Sequence, residues 1–215
     1  MTKEDCVKLF GGPSLFGGWT EAEVFGAIRD TFLADPGKMT MALRPEFKEP
    51  KSLAALKRRW AAGSWSFGYC YYIAEAARLI FLSAYPAREF KLRIVKSKKK
   101  LGALLPPALK KHFVLFYEDR YFDPELGCAV EQRKYGSNVK GSRFLPQLSV
   151  SALLLLAWTV DHYEQTLGPA RISLLRLRPA LSEVARRWRP GGPKAKLKDE
   201  VRRIAGLPPF QSGQQ

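Results

Sequence analysis

Cys70, His112 and Asp123 are residue types that a thiol-based acyl-transfer site uses. Cys70 stands in "GSWSFGYCYYIAEAARLI" (63–80), where a Gly- and aromatic-rich stretch gives way to helical spacing. The nucleophile in such chemistry is the thiolate, and the first turn of a helix favours it through unpaired N–H groups and the helix dipole. A neighbouring imidazole can take the thiol proton and form an ion pair with the sulfur. That imidazole must itself be oriented by an acceptor on its other nitrogen. "HFVLFYEDRYFDPE" (112–125) carries a histidine at one end and an aspartate near the other.

Two elements must position these groups. The first is a hairpin, read as two β-rich runs around Glu118-Asp119. With a two-residue loop there, Tyr117 pairs with Arg120 and Val114 with Asp123. Strand alternation puts His112 on the face of Val114, so Asp123 becomes its diagonal cross-strand neighbour. Any even loop keeps this relation and an odd one breaks it. The second element is a helix starting near Cys70. Cys70, Ile73, Ala74, Ala77, Phe81 and Ala84 form one apolar stripe at helical spacing, and Pro86 lies just beyond the end. That stripe puts Cys70 in the first turn and on the packed face. Bringing it against the hairpin takes tertiary packing.

The pieces "GYCYYIAEAARLI" and "HFVLFYEDRYFDPE" together resemble the papain-like superfamily in its broad sense. The nearest likeness is to transglutaminase-like and NlpC/P60-like proteins, including small phage or bacterial ones. The resemblance covers roughly residues 60–130. It implies a papain-like α+β core, with the Cys-bearing helix packed on an antiparallel sheet. It also implies Cys70 as nucleophile, His112 as general base and Asp123 as its orienter. The Cys70 backbone N–H would then form part of an oxyanion hole. Papain-type proteases carry a Gln several residues before the cysteine, and "AAGSWSFGY" has none. Trp65 or Tyr69 would line that side instead. The expected activity is hydrolysis or acyl transfer on an amide, isopeptide or glutamine side chain, with a protein or peptide substrate and no cofactor.

Other readings of the same residues stay open. A lone cysteine on an apolar helix face also serves as a small hydrophobe. A histidine heading a strand can be an ordinary half-exposed residue, and Asp before Pro commonly starts a turn. His162, in "AWTVDHYEQT", reads as a solvated or helix-end residue.

Elsewhere, "TEAEVFGAIRDTFLAD" (20–35) reads as a helix with Thr20 and Glu23 forming a capping box. Further helices are expected over 51–63, 148–166 and 179–189. Strands are expected over 89–95 and around Cys128–Val130, and a polar, basic end from Gly191 onward. The expected division is a papain-like domain over 1–170 and a basic helical extension with a flexible tail over 171–215. Hydrophobic residues make up 46% of the chain, enough for a real core.

The formal charge of +16 attracts polyanions. Most of it comes from two stretches. Lys91–Lys111 holds eight cations and no carboxylate, and Arg171 to the end holds eleven against Glu183, Asp199 and Glu200. Lys98, Lys99, Lys100, Lys110, Lys111, Arg186, Arg187 and Arg189 are candidate polyanion contacts, with Trp188 available for stacking. They support a second reading, a non-catalytic protein that grips nucleic acid or an acidic protein partner. No helix-turn-helix, zinc-finger or RNA-recognition signature accompanies them.

Cys6, Cys70 and Cys128 form no CxxC pair, and with His112 and His162 the only histidines no zinc site is expected. The thiols read as free, in a reducing compartment. "MTKEDCVKLF" lacks a signal pattern, and "ALLLLAWTV" (152–160) is about half of a bilayer span. The expectation is a soluble cytoplasmic protein without membrane partners.

Overall fold

Glycine at position 68 takes φ +85, a left-handed conformation that side-chain-bearing residues avoid. It turns the chain just ahead of helix α2, Cys70–Ala84. The structure is a computed structural model. It describes residues 8, 21–34, 54, 57–59, 61–62, 68–96, 111–124, 128–130, 139–141, 150–167, 177–192 and 194–210. Helix α1 spans Glu21–Ala34 and α3 Val150–Leu167, followed by α4, Arg178–Arg186, and α5, Ala195–Ile204. The strands are β1 Lys91–Lys96, β2 Lys111–Tyr117, β3 Arg120–Asp123, β4 Cys128–Val130 and β5 Val139–Gly141. They form one antiparallel sheet in the order β4-β3-β2-β1-β5. The class is α+β.

Helix α2 is the centre. Its sequence suggests a single apolar stripe, yet all fifteen residues are buried. It touches α1, α3 and the sheet through β1 and β2, so no side is left for solvent. Three-sided packing explains why Tyr71, Tyr72, Leu79 and Leu82, off the stripe, are buried as well. It also encloses two charges. Glu75 and Arg78, one turn apart, form a bidentate pair with both N···O distances 2.7 Å. Such a pair lets a charged group stay inside a core that would otherwise expel it.

Alternation along β2 sends Phe113, Leu115 and Tyr117 towards α2. The Phe113 ring meets Tyr71 edge-on at 5.1 Å, and Tyr117 lies 6.0 Å from Phe81. Phe90, just before β1, stacks on Phe81 at 5.5 Å. Val24, Ile28 and Phe32 of α1 are buried as their spacing suggests. β5, for which the sequence offers no expectation, pairs with Arg93–Val95 at the outer side of β1. The helix expected over 51–63 and the capping Thr20 lie mostly or wholly outside the described residues.

The segment after Gly191, read from composition as a polar end, contains α5. Its Val201 and Ile204 are buried in the same core as α3. The Trp158 indole of α3 donates to Glu200 at 3.3 Å, and Arg202 donates to the carbonyl of Ala185 at 3.2 Å, binding α5 to α4. No described helix is long and apolar enough to cross a membrane. The Leu-rich α3 is instead buried within the fold, from Ser151 to Val160.

Two substitutions should move stability in opposite directions in the same urea titration. Arg78→Met leaves the Glu75 carboxylate enclosed without its partner and should cost about 3–5 kcal/mol. Asp119→Gly, at a turn residue with φ +58, removes left-handed strain and should stabilise by about 0.5–1 kcal/mol.

Candidate active site

The hairpin joins β2 to β3 through Glu118 and Asp119 alone, with Tyr117 opposite Arg120, Phe116 opposite Tyr121 and Leu115 opposite Phe122. Both turn residues have positive φ, 46° and 58°, the pairing that matches the right-handed twist of a two-residue hairpin. The even loop therefore forms. Continuing the register puts Val114 opposite Asp123, with His112 one diagonal step away on the same face. His112 Nε2 lies 2.7 Å from Asp123 Oδ1. The carboxylate side chain is only 8% exposed and the imidazole 31%. Asp123 thus sits beneath a ring that solvent still reaches.

The third group arrives from the helix. Cys70 makes a side-chain hydrogen bond with His112. The next residue on each element touches as well, since Tyr71 packs against Phe113. Consecutive strand residues point to opposite faces, so a helix touching both His112 and Phe113 must meet the strand at its end. The N-terminus of α2 therefore abuts the start of β2. The N-cap residue, Tyr69, makes no side-chain capping bond, and no carboxylate lies in the first turn. The positive end of the helix is left facing the site.

Burial by itself disfavours the charged imidazolium of His112. The hydrogen bonds to Asp123 and Cys70, with the negative charge available on each, outweigh that penalty. Together they push the group from its ordinary 6.5 up to about 10. Across the neutral range the ring is protonated and donates from both nitrogens. With Nε2 directed at the Asp123 carboxylate, Nδ1 is the nitrogen left for the sulfur. Cys70 keeps 8% of its surface exposed, so a reactant must be slender to reach it.

The remaining candidates are placed differently. Tyr69, expected to line the pocket, is 1% exposed. Its ring is set edge-on to Phe32 of α1 at 5.1 Å. It belongs to the core on the α1 side, and burial drives its phenol strongly upward, so that it stays neutral. Trp65, Lys98, Lys99, Lys100 and Lys110 lie outside the described residues. Lys111 opens β2 opposite Lys96. His162 is half-buried near the end of α3. Arg186, Arg187 and Arg189 are exposed around the end of α4, and Trp188 packs against the core instead of standing free among them. The residue that sequence reasoning missed is Tyr71. A signal for it existed, since Tyr71 and Phe113 each directly follow a candidate site residue and are both aromatic.

Among the described residues no group of three or more His, Cys, Asp or Glu side chains could hold a metal ion. No family model, curated protein or solved structure matches this chain.

The raised His112 value carries a stability signature. A basic group whose folded value lies above its unfolded one stabilises fully below the unfolded value and loses that contribution as pH rises through the folded value. The stability advantage of the native chain over His112→Gln should therefore be greatest near pH 6 and shrink between pH 6.5 and about 10. In Cys70→Ala, which removes one of the two partners, the decline should come at lower pH. Urea midpoints at pH 6, 8 and 10 measure both effects.

Proposed function

We propose that this chain is a cysteine-dependent hydrolase or acyltransferase of papain-like architecture, acting on an amide, isopeptide or glutamine side chain. The observation that carries the reading is the position of His112, bonded on one side to Asp123 and on the other to Cys70. Three features support it together. A cysteine opens a buried central helix, a histidine is the second residue of the strand that the helix end abuts, and an aspartate closes the neighbouring strand. A structural cysteine needs none of these.

In the reaction, the Cys70 thiolate attacks the carbonyl carbon and forms a C–S bond, and the carbonyl electrons move onto oxygen. The resulting oxyanion lies at the start of α2, where the Cys70 backbone N–H and the helix dipole oppose its charge. Collapse re-forms the carbonyl and breaks the C–N bond. His112 gives its Nδ1 proton to the departing nitrogen, leaving an S-acyl enzyme and free ammonia or amine. Water or a second amine then attacks the thioester, and His112 takes the proton of that nucleophile. The C–S bond breaks and the thiolate returns. Asp123 holds the ring in place and stabilises its charged form throughout.

The low exposure of Cys70 favours a substrate group on a narrow stem, such as a side-chain amide, over a folded segment.

Alkylation by iodoacetamide at pH 6, followed by mass spectrometry, tests the site directly. Cys70 should be modified at least about tenfold faster than a model thiol, because only a thiolate reacts at that pH. His112→Ala should abolish the advantage and Asp123→Ala should reduce it. Cys70→Ser should stop release of ammonia or amine from glutamine and isopeptide peptides. A Cys70 that reacts no faster than free thiol, with no response to His112→Ala, would end this reading.

A further inference from the structure

The end of α4, the turn that follows and the start of α5 carry Arg186, Arg187, Arg189, Lys194, Lys196 and Lys198, and no carboxylate falls between residues 186 and 198. Structure gathers these cations at one end of the helix pair. The Lys198 ammonium donates to the carbonyls of Arg189, at 3.1 Å, and Gly191, at 3.3 Å, folding the start of α5 back onto the end of α4. Gly191 and Gly192 make the reversal with φ +78 and +82. Arg186 and Arg187 share a single carboxylate, Glu183, and their side chains remain 62% and 51% exposed. Arg189 and Lys196 are exposed as well.

Two of the arginines farther from the turn are structural. Arg178 bonds to the Ile204 carbonyl and to Glu164, and Arg202 bonds to the carbonyls of Ala185 and Pro208 and stacks on Phe210. Arg186, Arg187, Arg189 and Lys196 instead keep their side chains exposed. The lysines at 194, 196 and 198 even stand at the positive end of α5, where the helix dipole opposes them. The chain keeps charge there at a local cost.

We propose that the α4–α5 turn is a surface for the phosphate backbone of double-stranded nucleic acid, read without regard to sequence. The nature of the surface selects the partner. A membrane-binding basic helix needs an exposed apolar face beside its charges, whereas Leu181, Val184, Ala185, Val201 and Ile204 are all buried inside. A protein interface is normally built around an apolar centre with charge at its rim, and this turn shows charge throughout. A single-strand binder offers aromatic rings on which bases stack. Here Trp188, the turn's only aromatic residue, packs against the core. What remains is dense positive charge, which suits the higher linear charge density of a duplex. This proposal is independent of the Cys70 chemistry.

The test is fluorescence anisotropy of the full chain with a labelled random-sequence duplex, repeated across a salt series. Binding should fall in the range of about 1–100 µM and weaken steeply with salt. A single strand of the same length should bind less tightly. Arg186→Gln/Arg189→Gln/Lys196→Gln changes exposed side chains alone, and circular dichroism should show an unaltered fold. It should weaken duplex binding at least tenfold and lower the salt slope by about 2–3. Arg29→Gln/Lys57→Gln/Arg120→Gln removes the same charge at exposed positions elsewhere and should have a much smaller effect. Equal loss in both triple variants would overturn the proposal, since net charge alone would then explain binding. So would displacement of the duplex by polyglutamate at equal charge concentration, or binding to anionic vesicles but not to duplex.

Discussion

A helix with no solvent-facing side imposes a strict requirement on everything around it. Every turn of α2 must find a neighbour, and α1, α3 and the β1–β2 face of the sheet supply them. The aromatic side chains of the helix and sheet interlock along this contact, with Tyr71 on Phe113 at one end and Phe81 among Phe90 and Tyr117 at the other. Such close packing leaves little freedom to slide or rotate. The position of the first residue, Cys70, is thereby set by contacts spread over the full length of the helix. A reactive group needs that kind of rigid mounting, because geometry off by about an ångström weakens it greatly.

The site balances two opposing effects. Partial burial makes an imidazolium costly, and two acceptors on the same ring make it favourable. The acceptors win, as the elevation of His112 to about 10 records. Asp123 is the more enclosed partner, so its charge acts at short range with little water between. The same logic appears in the core, where Glu75 and Arg78 tolerate enclosure only as a pair. The two cases differ in exposure. The buried ion pair is sealed, while His112 keeps a third of its side-chain surface open. An open, charged, well-oriented ring beside a thiol suits chemistry, and a sealed pair suits structure.

The C-terminal helices divide their faces in a comparable way. The apolar sides of α4 and α5 join the main core through α3, and their polar sides carry the cations. From Gly191 onward composition alone suggests a polar, basic end, and α5 forms there. The difference lies in sparse but well-spaced apolar residues. Leu197, Val201 and Ile204 recur at helical intervals inside a strongly charged segment, and three such positions are enough once α3 offers them a surface. A helix of 10 residues is marginal by itself. Tertiary contact supplies the rest.

The hairpin was legible as two β-rich runs around Glu118-Asp119, with the parity of the loop left open. Given the even loop that forms, the register follows, and from the register the His112–Asp123 pair. Each of those steps depends on residues near one another in the chain, so sequence spacing determines them. The start of α2 at Cys70 was local in the same sense, marked by the glycine-rich approach and the apolar stripe that follows. Sequence spacing could not show the hydrogen bond between Cys70 and His112, the burial of α2 on all sides, the addition of β5 beside β1, or the withdrawal of Tyr69 into the α1 core. Each joins segments far apart in the chain. Their contacts depend on which surfaces the whole fold brings together, because hydrophobic burial rewards contact area without regard to chain order.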